Sequence, residues 1–230
     1  MRHWIDDLLG VIFPNICYVC GRPLAHGEEI LCLHCLTDIP VTGLADDGFN
    51  EIHRRLAKTG LPIEKAASWF YYRKDTDFAR LIQRAKYGDR PKIARALAFI
   101  YAEQLNAAGF FDGITTILPV PISTLKRLKR GFNQSEEIAK GISKATSIPV
   151  ACHLKVRHHP TQTRRSHYDR WLNSQSIYSL KSNLSLDNEH LLIVDDVITS
   201  GATMVSCLNT IHTAFPSAKL SVLSLALTAD

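Results

Sequence analysis

The chain has 230 residues, a length that one hydrophobic core with a small appendage can organise. A composition of 46% hydrophobic and 21% charged residues, with 12 glycines and 10 prolines, excludes fibrous and disordered chains. The net charge is +5, and residues 120–175 hold 11 of the 27 lysines and arginines but 3 of the 22 acidic residues. This cluster predicts a site for the phosphates of a small ligand or a nucleic acid, with a solvated surface as the alternative.

The N-terminal segment, residues 4–13, has the pattern of a helix with one apolar stripe. The stripe comprises Trp4, Ile5, Leu8, Leu9, Ile12 and Phe13. Because Asp6 and Asp7 interrupt the segment, it does not have the form of a signal peptide, and packing against a core is the better interpretation. No apolar run reaches the roughly 20 residues that span a bilayer. We expect no membrane span and a reducing, cytoplasmic location.

Four cysteines near the N-terminus form two CxxC pairs separated by eleven residues: Cys17, Cys20, Cys32 and Cys35. Two such pairs can close four thiolates around one zinc ion, a saturated and therefore structural site. A redox CxxC motif is the main alternative, but it does not require the second pair. The sequence predicts an N-terminal helix and zinc module at 1–50 and a second domain at 51–230. Cys152 and Cys207 are predicted to be small buried apolar residues.

From Ala66 onward, short apolar strands alternate with amphipathic helices. Strands are predicted at 68–72, 116–120, 150–156, 191–197 and 220–227. Helices are predicted at 77–85, 92–107, 134–145 and 202–214. This order predicts an α/β fold, with a mainly parallel sheet flanked by helices on both faces. Ligands of such folds bind beyond the carboxyl ends of the strands.

The segment 191–203, LLIVDDVITSGAT, places two acids directly after a buried strand. The carboxylates of Asp195 and Asp196 accept hydrogen bonds only, so they suit the two hydroxyls of a ribose. Small and hydroxylated residues then lead into a helix whose first amides favour a phosphate: Thr199, Ser200, Gly201, Ala202 and Thr203. The segment therefore predicts a site for a ribose 5-phosphate group, above all that of phosphoribosyl pyrophosphate.

Two other interpretations of this segment are possible. An ordinary strand followed by a capped helix explains the turn, but it leaves two adjacent acids at a buried strand end without a role. A response-regulator receiver also has paired acids after a strand, but it needs further strands with their own functional residues. Only 27 residues follow Thr203, which is too little chain for that fold.

Two basic segments are predicted to be functional, and the first of them is predicted to lie at the same edge of the sheet. Pro119–Arg130 is predicted as a loop whose cations neutralise a pyrophosphate, from among Lys126, Arg127, Lys129 and Arg130. Asn133 after it is predicted to cap a helix or to contact the ligand. Residues 157–175 are long for a connection and are predicted to be a functional flap. Its predicted contact residues are Thr161, Gln162, Arg164, Arg170 and Asn173.

Several short motifs resemble those of one family: KYGD at 86–89, PVP at 119–121, RGFNQ at 130–134, TQT at 161–163 and VDDVITSGAT at 194–203. The last motif resembles the phosphoribosyl-pyrophosphate loop of type I phosphoribosyltransferases, and the whole set, with the N-terminal cysteines, resembles the ComF family. The resemblance implies that fold, an N-terminal zinc module, and an association with DNA uptake in natural transformation and use of external DNA. Hypoxanthine-guanine transferases carry an Asp where this chain has Thr199, which argues against that salvage activity.

These observations leave three functions open. The first is a phosphoribosyltransferase in which Mg²⁺, Lys126 and Arg130 stabilise the leaving pyrophosphate while Asp195 and Asp196 hold the ribose. The second is a non-catalytic module that senses a nucleotide or binds single-stranded DNA through the basic flap. The third is an adaptor that docks a helicase through the zinc module. Neither the acceptor nor a general base can be identified from the sequence.

Overall fold

The computed structural model describes residues 15–57, 60–74, 76–86, 91–157 and 177–229. The predicted N-terminal helix at 4–13 and the five predicted contact residues of the flap lie outside these ranges. Among the described residues, no helix combines the length and the apolar character needed to cross a membrane.

The centre of the fold is a four-stranded parallel sheet. The described strands are β1 (Ala66–Tyr72), β2 (Thr116–Pro119), β3 (Leu154–Val156), β4 (Tyr178–Leu180), β5 (His190–Ile198) and β6 (Lys219–Thr228). The sheet has the order β1-β6-β5-β2, so the carboxyl ends of all four strands lie at one edge. The strands β3 and β4 form a separate antiparallel pair.

Helices cover both faces of the sheet. They are α1 (Leu33–Thr37), α2 (Glu51–Leu56), α3 (Asp77–Lys86), α4 (Pro91–Ala107), α5 (Thr124–Arg130), α6 (Gln134–Thr146) and α7 (Ala202–Ala214), with a 3-10 helix at Leu44–Asp46. Successive residues of β5 alternate between two core clusters: Leu192 packs with the cluster of α4 and α6, and Leu191 with that of α7. The predicted parallel sheet with helices on both faces is confirmed.

The helices α4 and α6 approach each other unusually closely at Gly141. A Cβ atom added there would lie 2.3 Å from the backbone oxygen of Arg95 and 2.9 Å from the Cβ of Ala98. A side chain at this position would push the helices apart, so glycine is required by the packing. The close contact holds α6, whose first turn faces the functional edge of the sheet, firmly against the core.

The structure differs from the sequence-based elements in several places, and α1, β4 and the 3-10 helix have no predicted counterpart. Residues 124–130, predicted as part of a loop, form α5, because Ser123 caps its amino end and Gly131, at φ +78°, ends it. The short helix α2 was not predicted. Of the strand predicted at 150–156, Val150 makes only a single bridge to β2, and the chain then turns away to form β3.

The cysteine module packs against the core of the sheet. Cys17, Cys32 and Cys35 are buried in the same cluster as Trp69 and Phe70 of β1. The amide of Thr42 donates a hydrogen bond to the Trp69 carbonyl at 2.9 Å. The cysteine module therefore covers β1. The boundary between two domains at residue 50 stays a prediction.

Candidate functional site

The acid pair lies where β5 extends past its neighbour β2. The last paired residues are Pro119 of β2 and Val194 of β5, and the Val120 amide then donates to the Val194 carbonyl at 3.0 Å. Beyond this point Asp195 and Asp196 continue the strand without β2 beside them, and both side chains are half-buried. The strand itself spans His190–Ile198, one residue longer at each end than the predicted strand at 191–197.

A serine that the sequence interpretation did not single out orients the first acid. The Ser135 hydroxyl, in the first turn of α6, donates to Asp195 Oδ1 at 2.9 Å, and the Asp196 amide donates to the same oxygen at 2.8 Å. Asn133 fixes the position of Ser135. The Ser135 amide donates to Asn133 Oδ1, which caps α6, and the side-chain amide of Asn133 donates to the Val120 carbonyl. The predicted cap at Asn133 is confirmed.

Two buried groups, Tyr178 and Cys207, are near enough to Asp195 to be influenced by its charge. Burial, with the nearby Asp195 carboxylate, raises the pKa of the Tyr178 hydroxyl. Burial and the nearby Asp195 carboxylate likewise raise the pKa of the Cys207 thiol. Both groups are therefore neutral at physiological pH.

The segment that follows the acid pair forms an exposed loop at the start of α7. Gly201 is the N-cap residue, has φ +78° and is buried, while Thr199, Ser200, Ala202 and Thr203 around it are exposed. The Ala202 amide approaches Ser200 Oγ at 3.5 Å. The first amides of a 13-residue helix and two flanking hydroxyl-bearing residues suit a phosphate group.

Gly201→Ala should damage this loop in two ways. The left-handed backbone costs an alanine about 1–2 kcal/mol, and the added Cβ would lie 2.8 Å from Leu56 Cδ2 of α2. Gly43→Ala is the matched control, because Gly43 also has a positive φ but has no atom within 4 Å of an added Cβ. We expect a larger loss of unfolding free energy, measured by urea denaturation, for Gly201→Ala than for Gly43→Ala. Equal losses would show that the contact with Leu56 does not constrain the loop.

The basic residues of α5 take different roles. Arg127 forms two hydrogen bonds with the Glu136 carboxylate, at 2.8 and 2.9 Å. Arg130 donates to Gln134 Oε1 at 3.0 Å, next to the serine that binds Asp195. Lys126 is exposed, and its amide takes part in the Ser123 cap. The roles predicted for Lys126 and Arg130 at a pyrophosphate stay predictions.

The four N-terminal cysteines come together as predicted. Their sulfur atoms all lie within 4.8 Å of one another: Cys17, Cys20, Cys32 and Cys35. The Cys32 amide donates to the Cys17 sulfur at 3.4 Å. This arrangement fits one tetrahedral metal ion, and a sulfur-only ligand set is suited to zinc.

Electrostatics within the cluster also fit a cation. Burial disfavours the thiolate of Cys17, but hydrogen bonds from the backbone of Cys20, Cys32 and Val19 outweigh it and lower the pKa to about 6. Burial and hydrogen bonds with the other cysteine sulfurs raise the pKa of Cys35. Four thiolates this close repel one another, so a dication is needed for all of them to be ionised together.

The two remaining cysteines, Cys152 and Cys207, differ in burial. Cys207 is completely buried in α7, which confirms its predicted role as a small apolar residue. Cys152 is exposed just before β3, so the burial predicted for it was wrong. Its segment leaves the sheet after Val150, and the side chain is not covered by a second layer.

Comparison with known proteins bears on the whole chain. No family model matches it. The DNA utilization protein YhgH of Shigella flexneri is 26% identical over 200 residues, covering 83% of this chain and 88% of that protein. Competence protein F of Haemophilus influenzae is 30% identical over 130 residues, covering 54% of this chain and 57% of that protein. Competence protein ComFC of Bacillus subtilis is 23% identical over 190 residues, covering 83% of this chain and 68% of that protein. This chain is a homologue of these competence and DNA-utilization proteins. The resemblance to the ComF family is thereby confirmed.

Among solved structures, the allosteric regulatory enzyme of purine biosynthesis is similar, with 17% identity and a TM-score of 0.42. The similarity covers 61% of this chain and 30% of that one, so the chain spans less than a third of that enzyme's length. The ComF-like assignment therefore rests on the sequence relatives and on the residues of the site.

Proposed function

We propose that this ComF-like protein binds phosphoribosyl pyrophosphate at the carboxyl edge of its sheet, on a fold of the type I phosphoribosyltransferase kind. The observation that carries the proposal is the direct succession, along one strand end, of two half-buried carboxylates and an exposed helix-start loop. The carboxylates accept from the ribose hydroxyls, and the loop amides donate to the 5-phosphate. No other described segment of the chain combines these two features.

The pyrophosphate end of the ligand is assigned to the α5 side of the same edge. Arg130 and Lys126 supply positive charge there, and Arg130 is linked through Gln134 to the helix turn that binds Asp195. Two carboxylates and ligand phosphates form the oxygen-rich set that Mg²⁺ prefers, and the ion supplies charge neutralisation of the pyrophosphate when bound. Transfer of the ribose to an acceptor would then depend on electrostatic stabilisation of the leaving group.

Isothermal titration calorimetry with phosphoribosyl pyrophosphate, with and without Mg²⁺, tests the proposal. We expect saturable binding of phosphoribosyl pyrophosphate that is stronger in the presence of Mg²⁺. Excess ribose 5-phosphate should compete with this binding. Absence of binding under both conditions would overturn the proposal. Release of pyrophosphate on addition of candidate nitrogenous acceptors separates an enzyme from a binding module.

A second candidate function is single-stranded DNA binding without catalysis. The observation that favours it is α5, which has no buried residue and exposes Lys126, Arg127 and Lys129 beside the proposed site. Side chains of this kind contact phosphates whatever the base sequence. If DNA binds with a steep salt dependence and no acceptor ever yields pyrophosphate, the binding function is the better description.

A further inference from the structure

We infer that Arg55 is a positioning residue for the phosphate loop, and that it acts by fixing the orientation of one peptide plane. The inference rests on the proposed ribose 5-phosphate site. Arg55 lies on α2, 144 residues from the loop in sequence, and no motif marks it. Its side chain is 10% exposed although it carries a full charge.

The guanidinium group contacts the back of the loop and the end of the neighbouring strand. Arg55 Nη1 donates to the Thr199 carbonyl at 2.6 Å and to Thr228 Oγ1 at 3.2 Å. Nη2 donates to the Thr228 carbonyl at 3.0 Å and pairs with the Glu51 carboxylate. Arg55 thereby ties the loop after β5 to the last residue of β6.

The contact with Thr199 determines where the next amide points. The described chain has no cis peptide bond, and in a trans peptide the carbonyl and the following N–H point in opposite directions. Because the Thr199 carbonyl points at Arg55, the Ser200 N–H points away from α2, toward the exposed side of the loop. A charged donor on the carbonyl also polarises the peptide and makes the N–H a stronger donor.

A second contact from the same helix supports this arrangement. Leu56 packs so closely on Gly201 that an added Cβ would lie 2.8 Å from it. Two consecutive residues of α2 therefore back the loop: Arg55 through a hydrogen bond to Thr199, and Leu56 through packing on Gly201. These two contacts restrain the loop before ligand binds, so binding should cost less ordering of the backbone.

Binding of two separate fragments of the proposed ligand tests the role of Arg55. We expect Arg55→Met to weaken binding of ribose 5-phosphate roughly tenfold to hundredfold, as for loss of a charge-assisted hydrogen bond. Binding of Mg²⁺-pyrophosphate should stay unchanged, because its site lies on the α5 side. Arg55→Lys should recover part of the loss. Arg54→Met is the matched control, since Arg54 is the exposed neighbour on the same helix.

Hydrogen exchange of the loop provides a readout that needs no ligand. Amides of residues 199–203 should exchange faster in Arg55→Met than in the wild type or in Arg54→Met. The inference would be overturned if Arg55→Met changed neither the exchange of these amides nor the binding of ribose 5-phosphate. It would also be overturned if the variant bound both fragments equally more weakly and the whole protein were destabilised. If the wild type binds neither fragment, the proposed function fails, and hydrogen exchange still decides whether Arg55 holds the loop.

Discussion

Removal of the metal from the cysteine module is expected to lower the melting temperature of the whole protein, because the module packs into the main core. Binding of zinc by a four-cysteine site contributes about 10–16 kcal/mol in zinc-finger peptides, which is comparable to the entire stability of a typical domain. The buried positions of Cys17, Cys32 and Cys35 mean that their thiolates cannot gain hydration without opening that core. A loss of about 5 kcal/mol would already lower the melting temperature by roughly 10–20 °C.

The measurement is metal content by mass spectrometry, followed by thermal melting with and without a chelator. We expect one zinc per chain, loss of the metal in Cys35→Ser, and a melting temperature that falls with it. Cys152→Ser is the control, because Cys152 is exposed and far along the chain from the cluster. Protein that contains no stoichiometric metal, and whose melting temperature does not respond to chelator, would contradict the zinc assignment.

Asp195→Asn combined with Asp196→Asn should nearly abolish binding of phosphoribosyl pyrophosphate. A hydrogen bond to a charged acceptor contributes about 1.5–3 kcal/mol, so loss of both should weaken binding roughly 100-fold to 10 000-fold. Asparagine keeps the size of each side chain, and its oxygen can still accept from the Ser135 hydroxyl. The double variant should therefore fold normally, and its melting temperature should be close to that of the wild type.

Calorimetry of the double variant and of Asp187→Asn gives the comparison. Asp187 is an exposed acid before the amino end of β5, at the opposite edge of the sheet, where its carboxylate contacts Ser217. Its variant should bind the ligand like the wild type. Undiminished binding by the double variant would show that the aspartates do not hold the ribose, whatever else the protein binds.

Many of the elements near the site could be predicted because their signals are local. The helix α7 begins and ends at the predicted residues, 202 and 214, because Gly201 precedes a long amphipathic segment. Strand β5 was recognised from its apolar run, and at its carboxyl end only Ile198, which pairs with Leu227 of β6, lies beyond the predicted range. The helix α5 was predicted as a loop, even though Ser123 and Gly131 are normal signals for a helix start and end.

The groups proposed to form the two sites could be identified from the sequence alone: four cysteines at metal-binding spacing, two acids after a buried strand, and a small-residue loop before a helix. These are readable because each lies within one short segment, where backbone geometry links neighbouring residues. The hydrogen bonds of Ser135 to Asp195 and of Arg55 to Thr199 became apparent only in the folded chain. Those partners are 60 and 144 residues apart, and their contact depends on how helices pack against the sheet, for which a single sequence carries no local signal.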